Sequence, residues 1–142
     1  PRLTQSLGYA GLLPFAGFAL GLWLLEGYVH ALSMQGFLVY SLAILCFLAG
    51  SLWGSAPQHA ESARIPRLLV SNGVVIFAVL AFLTAQPLIA ALLLMLGHLA
   101  QLWYELNTPM KELWYRRLRT RLTLIAVVFH LVYAAGLVQQ DA

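Results

Sequence analysis

Residues Leu68 to Leu106 read LLVSNGVVIFAVLAFLTAQPLIAALLLMLGHLAQLWYEL, and Glu105 is their one formal charge. A bilayer core about 30 Å thick takes roughly 20 helical residues to cross. Thr84-Ala85-Gln86-Pro87 is a tight-turn signal in the middle. The run therefore divides into two antiparallel spans, Leu68–Leu83 and Leu88–Leu106. The first is short and Asn72-Gly73 weakens it, but a reading without it would leave a long apolar segment in water.

Working outward, three more stretches have the required length and apolarity. They are Leu7–Tyr28, with Pro14 expected to kink its first third, Gly36–Trp53, and Leu122–Val138. The expectation is an all-α polytopic membrane protein, one transmembrane helical domain over residues 1–142, with five transmembrane helices. Composition agrees. Apolar residues are 61% of the 142 and charged residues 9%, whereas soluble domains carry about 25% charge. Mean hydropathy is +0.82.

The net charge of +3 and pI near 9.4 do not indicate nucleic acid, because no soluble domain is present to display the charges. Topology accounts for them. Arg2 precedes span one, Arg64 and Arg67 lie between spans two and three, and Lys111, Arg116, Arg117, Arg119 and Arg121 lie between spans four and five. With five spans these regions share one side, and the opposite side has no Lys or Arg. The positive-inside rule makes that side the cytoplasm, with the N-terminus inside and the C-terminus outside. Trp53, Trp103, Tyr104, Trp114 and Tyr115 read as aromatic anchors at the inner boundary. Cys46 is alone, so no internal disulfide is possible. Pro1 is read as following a removed initiator Met, and span one as a retained anchor.

Between spans four and five, Thr108-Pro109 reads as a helix start. Met110, Leu113, Trp114 and Leu118 then recur at helical spacing opposite Lys111, Arg116, Arg117 and Arg119. An interfacial amphipathic helix is expected over about 108–120, running into span five. Its Trp114 and basic residues, Arg121 included, would attract anionic headgroups at about 1 kcal/mol per charge, or dock an acidic partner. Gly17 with Gly21, and Gly50 with Gly54, form G-x-x-x-G pairs. Gly8 and Gly11 match the second pair in depth, so spans one and two are expected to approach closely at the inner side.

Polar residues within spans are costly and suggest function. His98, Gln101 and Glu105 form one helical stripe on span four. His98 lies about 12 Å deep and His130 about 13 Å deep, counting from the inner boundary at about 1.5 Å per residue. With Asn72 and Gln101 they would line an inner-leaflet cavity for a quinone, a lipid or, through paired imidazoles, a b-type haem. The plainer alternative is packing and hydrogen bonding in the bundle interior. Ser51 and His130 differ by about 9 Å in depth, too far for a nucleophile and base. Glu26 and His30 read as a boundary pair. No metal cluster or catalytic constellation is visible, so an enzyme is not expected.

Three blocks carry a resemblance: Leu7-Gly8-Tyr9-Ala10-Gly11-Leu12-Leu13-Pro14-Phe15, the stretch Phe47-Leu48-Ala49-Gly50-Ser51-Leu52-Trp53-Gly54, and Trp114-Tyr115-Arg116-Arg117-Leu118-Arg119 leading into Leu122-Thr123. Together they resemble the family known as domain of unknown function 3429, which includes transmembrane protein 69-like inner-membrane proteins. Leu52 departs from it, since a histidine often precedes the motif tryptophan, and so does Ser71-Asn72-Gly73. The resemblance implies a multi-pass protein of bacterial cytoplasmic (inner) or mitochondrial inner membranes, and implies no activity. The functional expectation is a non-catalytic accessory subunit or assembly factor that packs on other membrane-protein subunits of a larger complex, without a cofactor. The alternative is a small-molecule binding module.

Overall fold

A computed structural model of the chain describes residues 2–108 and 112–141. It contains helices and turns, with no strand among the described residues. The helices are α1 (Arg2–Ala10), α2 (Leu13–Leu24), α3 (Gly27–Ser55), α4 (Glu61–Leu83), α5 (Pro87–Leu106) and α6 (Leu113–Asp141), with a 3-10 turn at Ala56–Gln58. Five helical segments are long and apolar enough to cross a membrane: Arg2–Leu24, Gly27–Gln58, Glu61–Leu83, Pro87–Leu106 and Leu113–Gln140.

Span one is α1 and α2 together. Pro14 has no N–H, and its ring would clash with the carbonyl four residues back, that of Ala10. The helix accordingly breaks at Gly11-Leu12 and resumes with Pro14 in its first turn. Gly11 N still makes the ordinary helical bond to Leu7 O at 2.9 Å, and Leu12 N closes a tighter turn on Tyr9 O at 3.0 Å. The expected kink is present.

Several boundaries differ from the sequence expectation. Span one ends at Leu24, and Gly27, at φ +66°, supplies the left-handed residue that turns the chain into α3. His30, Ser33 and Gln35, which fall between the expected spans Leu7–Tyr28 and Gly36–Trp53, lie in the first turns of α3. Likewise α4 begins at Glu61, seven residues before Leu68. The 29 residues of α3 and of α6 extend about 43 Å each at about 1.5 Å per residue, longer than an apolar layer about 30 Å thick.

The expected interfacial helix is the start of α6. Leu113–Asp141 is one uninterrupted helix, since Arg and Leu at 116–122 are good helix formers and nothing between them breaks the backbone. Pro109, Met110 and Lys111 lie outside the described residues.

The helices close a ring in chain order, α2 packing on α3 and α6, and α3 and α5 meeting across its centre. Many side chains pointing outward are aliphatic, among them Leu69, Ile76, Leu80, Leu96, Leu124, Val128 and Leu131, which suits contact with lipid. The half of the ring away from the basic residues packs through small groups. Ala78 and Ala81 of α4 face Ala90 and Ala91 of α5 in the buried core. A Cβ on Gly21 would collide with Ser33, and at mid-height one on Gly97, beside His98, would lie 2.6 Å from Leu45. Short side chains let the backbones approach, and dispersion then holds them.

Of the glycines expected to pack, Gly8, Gly11 and Gly21 do. Gly8 seats Leu122 of α6, and Gly11 lies against Tyr40, whose hydroxyl donates to Gly11 O at 2.7 Å. Gly17, Gly50 and Gly54 are exposed, and a Cβ on any of them would meet no atom within 4 Å. They satisfy the G-x-x-x-G spacing, but their helix faces turn outward.

Candidate functional site

The site lies between α3, α5 and α6, toward the basic end. On α6, Arg119, Thr123, Ala126, His130, Tyr133 and Leu137 recur at alternating steps of four and three, and all are buried. On α5, His98, Gln101 and Glu105 form the buried stripe that the spacing indicates. On α3, Phe37, Ser41 and Leu45 follow at steps of four. A polar residue in such a stripe is drawn inside with its apolar neighbours, because all share one helix face.

Ser41, His98 and His130 meet at the centre. Ser41 Oγ lies 2.7 Å from His130 Nε2 and 3.1 Å from His98 Nε2. His130 Nδ1 is 2.7 Å from Ala126 O, which can only accept, so Nδ1 carries the proton. His130 Nε2 then accepts from the Ser41 hydroxyl, and Ser41 accepts from His98 Nε2–H. The result is a directed chain of three hydrogen bonds from His98 to the α6 backbone. Aromatic rings close it toward the far end. Phe15 and Phe37 pack on His130 at centroid distances of 5.4 and 4.8 Å, and Tyr133 stacks on Phe37 at 4.3 Å.

Toward the basic end lies an ion pair. Arg119 Nη2 is 2.5 Å from Glu105 Oε2, Nε donates to both carboxylate oxygens at 3.2 Å, and Nη1 donates to Thr123 Oγ1 at 3.0 Å. Both side chains are almost fully buried, at 5% and 6% exposure. Gln101 Nε2 donates to Glu105 at 3.3 Å and to Leu48 O at 3.1 Å, so α3 is tied into the same network. A guanidinium and a carboxylate in this geometry satisfy each other and cancel in charge.

Beside this network a cavity of about 390 Å³ opens sideways. Its walls are Leu7, Gly8, Leu12 and Phe15 from span one, Ile44, Phe47 and Leu48 from α3, and Leu118 and Leu122 from α6; Thr4, His98, Tyr115, Arg119 and Thr123 supply polar groups. The Pro14 break explains the opening. α2 packs on α3, but α1 has no buried residue and leans on α6 instead, so a gap remains between α1 and α3.

Of the four residues expected to line an inner-leaflet site, His98, Gln101 and His130 come together. Asn72 does not. It is exposed and donates to Leu68 O at 2.8 Å, while its neighbour Ser71 faces inward and donates to Ala49 O at 2.6 Å. One residue is about 100° of helix rotation, which the depth count ignores. Arg119, expected on the headgroup face, is instead buried on Glu105, because it continues the inward stripe of α6. Arg116 donates to Leu106 O at 3.1 Å, satisfying a carbonyl at the end of α5. Arg117 and Arg121 are exposed, Trp114 is half-buried, and Lys111 lies outside the described residues. Ser51 bonds to Leu48 O on the exposed surface, away from His130. No bond joins Glu26 to His30 among the described residues.

The histidines do not fit a haem. Axial imidazoles must face each other across iron with a flat macrocycle between, whereas both Nε2 atoms converge on one serine hydroxyl and Phe15 and Phe37 fill the space around His130. Ser41, Tyr115 and Thr123 are site residues that sequence reasoning misses. The four-residue step from Phe37 to Ser41 to Leu45 is the available signal for Ser41.

The family model described as Protein of unknown function (DUF3429) matches residues 1–135. Neither a curated protein nor a solved structure matches the chain.

Proposed function

We propose, from the premise that this chain belongs to the DUF3429 family of proteins of unknown function, that it is a non-catalytic integral membrane protein that holds a small amphiphilic molecule. The observation that supports this reading is the lateral cavity of about 390 Å³. That volume is within the roughly 300–1,000 Å³ of small-molecule sites, and the lining has their usual character, a mainly apolar wall with a few convergent polar groups. An opening toward lipid suits a ligand that arrives through the membrane. The polar track ends at the Phe37–Tyr133 stack, which favours a binding pocket over a path through the bundle.

The membrane is proposed to be a bacterial cytoplasmic membrane, with the basic end inside. Exposed Arg64, Arg117 and Arg121 would then meet anionic headgroups. The test of the binding reading is extraction of the full chain in mild detergent, followed by mass spectrometry of the bound small molecules. A defined species present in stoichiometric amount, and lost when Leu7→Trp narrows the mouth, is the expected result. An empty protein, or the same mixed lipids in both, would overturn it.

A second reading, an accessory subunit or assembly factor of a larger membrane complex, is favoured by one observation. Gly50, Ser51, Gly54, Asn72 and Gly73 leave small and polar groups on the exposed faces of α3 and α4, where lipid-facing helices usually carry large aliphatics. The same preparation tests it through the proteins that co-elute. A stoichiometric membrane complex would support it, and a protein emerging alone would remove it.

A further inference from the structure

The polar groups around the cavity differ in what they offer a ligand. His98 lines the cavity with Nε2 committed to Ser41. Its Nδ1 has no partner among the described residues, and with the proton on Nε2 that nitrogen is an acceptor. Tyr115 lines the same space, and its hydroxyl has no partner among the described residues either. Thr123 accepts from Arg119 and keeps its own proton to donate. With Thr4 of α1, which also lines it, the cavity therefore offers one acceptor and three hydroxyl donors.

Its charge is balanced. Arg119 is the one cation in the lining, and Glu105 holds it at 2.5 Å. A phosphate or carboxylate headgroup would bring a second anion beside Glu105, and has no proton for His98. Desolvated like charges at close range are costly. The ligand head that fits is neutral, donates one hydroxyl to His98 and accepts elsewhere. The walls add a shape requirement. Phe15, Phe47 and Tyr115 are flat rings, and Leu7, Leu12 and Ile44 lead outward toward lipid.

We propose that the cavity takes a prenylated quinol, with one ring hydroxyl donating to His98 Nδ1, the opposite oxygen toward Tyr115 or Thr123, and the isoprenoid tail leaving between α1 and α3. This rests on the cavity being a ligand site and specifies its ligand class. No electron transfer is implied. A neutral diacylglycerol shares the hydroxyl and carbonyl chemistry but lacks the flat ring.

The test uses the full chain in lipid nanodiscs, with ubiquinol-2 as the probe and dioleoylglycerol and phosphatidylglycerol as competitors. Binding is read by equilibrium retention of the probe. The expected result is saturable binding of ubiquinol-2, weakened about tenfold by His98→Leu, the size of one good hydrogen bond. Leu7→Trp, an exposed rim position with no polar partner, should weaken it too and covers the case in which His98→Leu fails to fold. Competition should be weak from both lipids. If dioleoylglycerol or phosphatidylglycerol displaces the probe at equal or lower concentration, the quinol assignment falls and the cavity reading survives. If no probe or lipid binds saturably, both fall.

Discussion

The two ends of this bundle are held together by different physics. At the basic end, α3, α5 and α6 are joined by Arg119–Glu105, Gln101 and the chain from His98 through Ser41 to His130. At the other end α4 and α5 pack through Ala78, Ala81, Ala90 and Ala91, α2 meets α3 where Gly21 seats Ser33, and the Phe37–Tyr133 stack joins α3 to α6. The second end also leaves a space of about 310 Å³, lined by Gln35, Leu38, Phe82, Gln86 and Ala90 at the turn between α4 and α5. The cavity at the first end lies beside its polar bonds, where the Pro14 break leaves α1 without a buried residue and away from α3. The two spaces differ in their polar lining: buried His98 and Arg119 reach the first, whereas exposed Gln35 and Gln86 flank the second.

That contrast can be broken most severely at the ion pair. Arg119→Leu or Glu105→Leu alone leaves a buried unpaired charge and should cost about 3–5 kcal/mol, read as loss of folded protein in a detergent unfolding titration. The double change Glu105→Leu with Arg119→Leu should recover most of the loss. A double variant as unstable as the singles would show that the pair acts as something other than mutual compensation.

At the close-packed end, Gly21→Leu drives a side chain into Ser33 and α3, with an expected cost of about 1–3 kcal/mol for overpacking. An unchanged midpoint would mean that α2 and α3 separate easily, and the proposed difference between the ends would not hold. Next in size, Ser41→Ala removes the hydroxyl shared by His98 and His130 and leaves His130 Nε2 without a donor. A loss of about 1–2 kcal/mol is expected, with imidazole nitrogen chemical shifts reporting the altered tautomers.

Tyr133→Phe deletes one hydrogen bond, the 2.8 Å contact to Met34 O, while keeping the stack on Phe37. Interhelical hydrogen bonds in membranes average about 0.6 kcal/mol, so a small shift in the same titration is expected. A shift above about 2 kcal/mol, beyond the largest such bonds measured in membranes, would place the bonding of the far end on polar terms as well. Smallest of all, Gly50→Ala on the outward face of α3 should change stability by less than about 0.5 kcal/mol. A large effect on the isolated protein would show that this face is packed against a second copy.

Much of the site is legible in the sequence as composition and little of it as geometry. The stripe of His98, Gln101 and Glu105 can be read directly, because α5 is regular and its polar residues recur at helical spacing. Depth along the helix places His130 with it correctly. The same measure misplaces Asn72, because depth gives height along a helix axis and says nothing of rotation about it. Arg119 groups in sequence with Arg116, Arg117 and Arg121, since all four are basic and close together. Only the partner on α5 distinguishes the one that turns inward. The glycine spacing has the same ambiguity, satisfied equally by Gly21, which packs, and by Gly50, which does not.

By itself the sequence determined that the chain is all-helical and has five membrane-length apolar helices, and where the proline break falls. These follow from local quantities: the length of apolar runs, the missing proline N–H, and the cost of an unbonded backbone in lipid. The tertiary structure alone decided which face of each helix turns inward, that Ser41 joins two histidines, that Arg119 meets Glu105, and that a cavity opens beside them. Lipid and the bundle interior are both apolar, so hydropathy cannot orient a helix about its axis. That choice is made by contacts between residues as distant in sequence as Ser41 and His130, and it exists only once the helices have packed.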